Sequence, residues 1–290
     1  MTIRTILVQL LVLLSINSFS QTGKFIIKPC WKQGEKKELN VSGEQFWNMF
    51  GNEDKVPVPI ERYLIEVLES NADGYLIQWK VISDDNLSTE ENFMQDYINN
   101  FYYEILLDSK GVFVELKNWK ELITLNKDLK DKIVSLAKSK DISKAEIDQQ
   151  IAQMNLPFTK DKIIDWYQGL TDIYLSIYGE EFILNTINES PTKVPNEILK
   201  DGIPATEVIE TKNLSDNLIS IKYSTIYDNA VIEKLFKENF PNQEYQELKM
   251  NSSTEYIYNS ETGWIDEIKI AGVNGTKSEN AGFRFNYEIK

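Results

Sequence analysis

An alternation of apolar and polar positions is clearest between residues 101 and 117, which read FYYEILLDSKGVFVELK. The two alternating halves are separated by the tetrapeptide DSKG, whose glycine tolerates a positive φ. A period of two around such a turn is typical of a β-hairpin. The pattern predicts one face of the first strand from Phe101, Tyr103, Ile105 and Leu107, and one face of the second from Val112, Val114 and Leu116.

The same arrangement occurs twice more along the chain. Residues 66–69 lead through SNADG into YLIQWKV, and residues 255–258 lead through NSETG into WIDEIKI. Alternating runs at 217–227 and 283–289 predict two further strands. Three hairpins of one kind predict a curved antiparallel sheet.

Weaker signals complete the β pattern. They predict a first strand at FIIKPCW, a strand in 181–187 and another in 205–211, while residues 41–50 are predicted to form a short helix or a loop. Cys30, the single cysteine, is expected to be a small apolar filler of the first strand, since one cysteine cannot close a disulfide within the chain.

The apolar period changes to about 3.6 from Trp119 onwards. Ser143 with Glu146 fits a capping box for a second helix, and Thr159 is the expected N-cap of a third. Asp228 is the expected N-cap of a later helix. The predicted class is therefore α+β, with a helical layer (about 119–178 and 229–239) packed on one face of the antiparallel sheet.

Residues 1–20 contain Arg4, the apolar run ILVQLLVLL and then small and polar residues. This is typical of a cleaved signal peptide, because the run is shorter than the ~20 apolar residues that span a membrane. The protein is predicted to be exported, to the periplasm or beyond the cell, with no transmembrane segment in the mature chain. Residues 21–290 contain no Gly/Ser-rich or Pro-rich linker, which predicts a single α+β domain.

The balance of charges disfavours one class of partner. The chain has 31 Lys+Arg against 45 Asp+Glu and a net charge of −14, so it repels phosphate backbones and no nucleic acid is expected. A basic protein partner suits this charge better.

The absence of histidine excludes most nucleophilic triads and mixed Cys/His metal sites. We therefore expect no catalysis, no metal and no cofactor. The alternative is a serine hydrolase of the penicillin-binding type, because Ser135 to Lys138 fits S-x-x-K and Ser215-Asp216-Asn217 fits S-D-N, although K-T-G is absent. A second candidate chemistry is sugar cleavage by a pair of adjacent carboxylates, namely Asp84-Asp85, Glu90-Glu91 or Glu180-Glu181.

Aromatic residues make up 11% of the chain, and several fall on the apolar faces of predicted strands. Helices that covered these faces completely would make the aromatics part of the core. A curved sheet that left part of the face open would instead form a groove for a lipid or another apolar ligand. The candidate ligand-binding residues are Tyr75, Trp79, Tyr103, Tyr223, Phe283 and Phe285.

The leader, the hairpin turns ESNADG, LDSKGV and NSETGW, and the helices against one face resemble β-rich bacterial secreted proteins. In layout the chain also resembles the lipoprotein-carrier half-barrel proteins of the LolA kind. The resemblance implies binding of an apolar or envelope-derived ligand without chemistry. A protein that binds a protein partner, or has a structural role with no small-molecule ligand, is the other expectation.

Overall fold

The computed structural model describes residues 23–49, 52–82, 92–139, 142–195, 202–242, 244–247, 250–276 and 279–290. The predicted signal peptide lies outside these ranges. The strands are β1 (Lys24–Ile26), β2 (Lys36–Met49), β3 (Asn52–Asn71), β4 (Gly74–Ile82), β5 (Tyr102–Asp108), β6 (Phe113–Leu116), β7 (Glu181–Ile183), β8 (Ile187–Val194), β9 (Ile203–Asn213), β10 (Leu218–Tyr227), β11 (Asn251–Asn259), β12 (Ile265–Gly275) and β13 (Glu279–Ile289). The helices are α1 (Asn92–Asn100), α2 (Trp119–Ser139), α3 (Lys144–Met154), α4 (Lys160–Leu175) and α5 (Asn229–Asn239).

Eleven strands form one antiparallel sheet in the order β6-β5-β4-β3-β2-β13-β12-β11-β10-β9-β8. The chain builds it as two meanders, β2 to β6 and β8 to β13, which join where β13 pairs with β2. The edges are β6 and β8, so the sheet is not closed. A separate ribbon pairs β1 with β7. The predicted antiparallel sheet is confirmed, and so are its three hairpins, β3–β4, β5–β6 and β11–β12.

The prediction of a helix or loop at residues 41–50 is wrong. Strand β2 runs to Met49 and pairs with β13 on one side and with β3 on the other. Local signals were weak because the segment carries Ser42, Gly43 and Glu44, which disfavour strands in isolation. Pairing on both sides satisfies the backbone and decides the conformation.

The prediction that Val112, Val114 and Leu116 share one face of the second strand of the 101–117 hairpin is also wrong. Ile105 pairs with Leu116 and Leu107 pairs with Phe113, so the register shifts by one residue between them. A bulge at this point reverses the alternation. Phe113 and Leu116 therefore lie on the inner side, whereas Val112 and Val114 are 43% and 54% exposed.

Cys30 is exposed and lies outside β1, so the expectation that it fills the first strand is wrong. The segment around it alternates, with Ile27, Pro29 and Trp31 buried and Lys28 and Cys30 exposed. Because successive side chains point to opposite sides of this extended segment, the Cys30 thiol faces outward.

The pairing register separates the two faces of the sheet, because directly opposite residues share a face. Ile65, Trp79 and Tyr103 form one such row, and we call their side the inner face. The opposite side, the outer face, carries the row Glu210, Lys222, Glu255 and Lys269.

The predicted helix caps are confirmed. Ser143 accepts from the backbone of Glu146, whose carboxylate in turn accepts from the Ser143 backbone. Thr159 and Asp228 cap α4 and α5 through their side-chain oxygens. These bonds satisfy N–H groups that the first helical turn leaves without partners.

One end of the sheet is closed by its hairpin turns, which contact the segment 27–35. The Trp31 indole donates to the Gly263 carbonyl at 3.1 Å, and the Tyr75 hydroxyl donates to the Pro29 carbonyl at 3.0 Å. Trp31 also stacks on Trp264, with ring centroids 4.5 Å apart. We call this the closed end, and the end near residues 45–56 the open end.

Candidate functional site

All six predicted ligand-binding residues lie on the inner face, as the pairing register shows. Trp79 pairs with Tyr103, Tyr75 with Leu107, and Tyr223 with Thr254. Phe283 pairs with Gly272, and Phe285 with Ile270. Their surroundings nevertheless divide them into three groups.

Near the closed end the predicted residues are packed by protein. Trp79 and Tyr103 are 2% and 3% exposed, and their rings contact Tyr174 and Tyr167 of α4, with centroids 5.6 and 5.5 Å apart. Burial raises the pKa of Tyr103. Among the described residues, the Trp79 Nε1 and the Tyr103 hydroxyl have no hydrogen-bond partner. Here the aromatic face is core.

Tyr75 lies in the same half of the sheet and is half-buried. Its ring meets Trp31 edge to face at 5.4 Å, and its hydroxyl is held by Pro29. Its role in the fold is to fix the segment 27–35 at the closed end.

Phe283 and Phe285 lie at the open end, where they line a groove of about 470 Å³. Phe283 is 37% exposed, and the two ring centroids are 5.7 Å apart. Other lining residues come from β2, β10 and the start of β11: Trp47, Tyr227, Met250 and Ser252. We call this the apolar groove.

Glycines shape the floor of the apolar groove. A Cβ on Gly272 would lie 2.7 Å from the Phe283 ring, and a Cβ on Gly43 would lie 2.4 Å from the Phe285 ring. Both rings can therefore lie down against the sheet instead of standing up from it. Glycine within a strand is the sequence signal for such a close approach, and it was the clue that could have extended the predicted site to Trp47.

Tyr223 lines a second cavity of about 590 Å³. The rings of Phe182 and Tyr256 stand nearly perpendicular to it, with centroid distances of 6.3 and 6.0 Å. Burial, followed by the neighbouring Tyr256 and the carboxylates of Glu180 and Glu207, raises the pKa of Tyr223. The second cavity adjoins the apolar groove. Thr254 lines the cavity and Ser252 lines the groove, and both residues lie on the same face of β11.

The predicted serine–lysine residues are not joined in the described structure. Ser135 and Lys138 are exposed near the end of α2, and Ser215 is exposed in the turn between β9 and β10. No hydrogen bond links the Ser135 hydroxyl to the Lys138 ammonium within the described ranges.

The predicted carboxylate pair is also placed by the structure. Glu180 and Glu181 lie at the rim of the second cavity, where Glu181 forms an ion pair of 2.6 Å with Lys24. The pairs Asp84-Asp85 and Glu90-Glu91, considered with it, lie outside the described residues.

No helix in the described part of the chain is long and apolar enough to cross a membrane. The same residues contain no cluster of three or more acidic or cysteine side chains that could hold a metal ion.

Comparison with known proteins adds little to this geometry. No protein-family model matches the chain, and no curated protein matches it. Among solved structures, the crystal structure of Ail, the attachment invasion locus protein of Yersinia pestis, matches at 6% sequence identity over 88% of this chain and 97% of that chain, with a TM-score of 0.18. A similarity at that TM-score carries no argument about fold or function.

Proposed function

We propose that this protein is an exported, non-catalytic carrier that binds an elongated apolar ligand, such as an acyl chain, in the apolar groove. The observation that carries the proposal is the contrast between the two ends of the inner face. At the closed end Trp79 is 2% exposed, whereas at the open end Trp47 is 39% and Phe283 37% exposed. Exposed apolar side chains that cluster in a concave site indicate ligand binding, whereas singly scattered ones do not.

The helices account for this contrast. In the proposed architecture, the helical layer predicted at 119–178 and 229–239 covers the inner face only in part. Contacts of Tyr167 and Tyr174 with the strands support cover over β4 and β5. The groove then lies where β2, β10, β12 and β13 extend beyond that cover.

The size and lining of the groove suit an alkyl chain. A volume of about 470 Å³ falls within the usual range of small-molecule sites, and the lining is mainly apolar. Each methylene buried there would contribute about 0.8 kcal/mol of hydrophobic free energy. Export to the periplasm or beyond the cell would bring the groove into contact with envelope lipids, which agrees with the resemblance to lipoprotein carriers.

Quenching of Trp47 by a brominated chain tests the proposal. We expect 12-bromododecan-1-ol to quench the tryptophan fluorescence of the mature protein, and Trp47→Phe to remove most of that quenching. Ser252→Phe places a ring inside the groove and should abolish the effect. Ser253→Phe is the matched control, because the neighbouring serine faces the opposite side of β11.

Two results would contradict the carrier proposal. One is an unchanged fluorescence of the natural chain at ligand saturation in the same buffer. The other is equal quenching in the Ser252→Phe and Ser253→Phe variants, because a chain bound elsewhere would not sense which face carries the new ring.

A further inference from the structure

The second cavity is built differently from the apolar groove. Three aromatic rings line it, and they belong to Phe182, Tyr223 and Tyr256. Both neighbouring ring pairs meet at 81°, so the Tyr223 ring stands nearly perpendicular to each of the other two. Perpendicular rings present π faces from more than one direction, which is the arrangement that encloses an organic cation.

The charges around the cavity favour the same kind of ligand. Among the described residues that line the cavity, Lys24 is the only basic one, and its ammonium is 2.6 Å from the Glu181 carboxylate, which offsets its charge. Glu180 also lines the cavity and has no ion-pair partner in the described ranges. The rim therefore keeps one excess negative charge. Glu207, from β9, adds a second carboxylate close to Tyr223.

We propose that the second cavity is a binding site for an organic ammonium group, held by the faces of Phe182, Tyr223 and Tyr256 and by the carboxylate of Glu180. An anionic group such as a phosphate or a carboxylate is disfavoured by the same acidic rim. Because the cavity adjoins the apolar groove, an ammonium that bears an alkyl chain can place its chain there; this extension alone rests on the proposed function.

Tetramethylammonium chloride tests the site without any chain. We expect saturation-transfer NMR to detect its binding to the mature protein, and isothermal titration to show an affinity that falls as salt is raised. Tyr223→Leu should weaken binding about five- to thirtyfold, the range between an exposed and a desolvated cation–π contact. Tyr227→Leu is the control, because this tyrosine lies on the same strand and face but lines the groove.

Glu180→Gln provides a variant that leaves the aromatic core intact, since Glu180 is exposed. It should weaken tetramethylammonium binding about two- to threefold, whereas Glu210→Gln, which removes the same charge from the outer face, should leave it unchanged. Equal affinities in all four variants, or no binding by the natural chain, would overturn the ammonium site.

Ligands with and without an alkyl chain distinguish a failure of the ammonium site from a failure of the apolar groove. If both proposals hold, decyltrimethylammonium binds more tightly than tetramethylammonium and more tightly than decan-1-ol. If decan-1-ol binds as well as decyltrimethylammonium, the ammonium site is refuted and the groove stands. If decyltrimethylammonium gains nothing over tetramethylammonium, the groove is refuted and the ammonium site stands.

Discussion

Two glycines with nearly the same backbone conformation test how the closed end is held together. Gly34 has φ +81° and Gly263 has φ +74°, both in the region where an L residue is strained. A Cβ on Gly34 would meet nothing within 4 Å. A Cβ on Gly263 would lie 2.1 Å from the backbone nitrogen of Cys30 and 2.7 Å from the carbonyl carbon of Pro29.

The two alanine substitutions should therefore differ in cost. Gly34→Ala adds only the conformational penalty, about 1–2 kcal/mol. Gly263→Ala adds the same penalty and also forces the 259–263 turn away from the segment 27–35, because backbone atoms cannot rotate aside as a side chain can. Overpacking of this kind costs a further 1–3 kcal/mol, roughly, so the expected total is about 2–5 kcal/mol.

Urea unfolding of both variants, followed by tryptophan fluorescence, measures the difference. The stacked pair Trp31 and Trp264 lies beside the Gly263 turn, so its emission should also shift in the native state of Gly263→Ala alone. Equal losses of unfolding free energy in the two variants would refute the packing of turns against the segment 27–35 as the basis of the closed end.

Three further perturbations address other parts of the fold. Asn118 is 5% exposed and bridges the β5 backbone, so Asn118→Ala should lower the free energy of unfolding by about 2–4 kcal/mol in urea titrations, and an unchanged midpoint would contradict this. Ser143→Ala removes the capping box and should cost about 1 kcal/mol, while Ser143→Asp should restore it in the same assay. Burial raises the pKa of Tyr103 and Tyr167 above the ordinary value of 10. Their contribution to stability is therefore complete below about pH 10 and falls as the pH rises further. The free energy of unfolding should fall by roughly 1.4 kcal/mol per pH unit for each tyrosine. Urea midpoints that stay constant above pH 10 would contradict that assignment.

The three hairpins could be predicted because each combines two local signals, alternation and a glycine-ended turn. The bulge at residues 113–115 could not, since one inserted residue leaves the composition of a strand unchanged while reversing its faces. Strand β2 was missed for a related reason. Its backbone is fixed by β3, whose paired residues lie 3 to 30 positions ahead, and by β13, whose paired residues lie 230 to 250 positions ahead. No local pattern reports the pairing with β13.

The candidate site, like the fold, could be predicted from the sequence only in part. Phe283 and Phe285 were found because they alternate with polar residues on a strong strand. Trp47 was not predicted because its strand was not predicted. Tyr227 could be assigned to the groove only once the structure placed β10 beside β11. Whether an inner-face aromatic is covered depends on where the helices end in space, so the sequence left open the choice between core and groove.

The neighbours Phe46 and Trp47 of β2 differ in how far other side chains cover their rings. They lie at the same height of β2 but on opposite faces, since Phe46 pairs with Gly282 and Trp47 with Ala281. On the outer face Phe46 is only 7% exposed, because the Arg284 guanidinium carbon lies 4.4 Å from its ring centroid.

The arginine is held in turn by the carboxylate of Glu44, whose pKa the hydrogen bond from Arg284 lowers. A cation–π contact of this kind covers a ring that would otherwise be exposed. On the inner face no cation–π contact with another described residue covers Trp47, which remains 39% exposed. If the groove binds an apolar chain, as proposed, the bound chain would give Trp47 the cover that Arg284 gives Phe46.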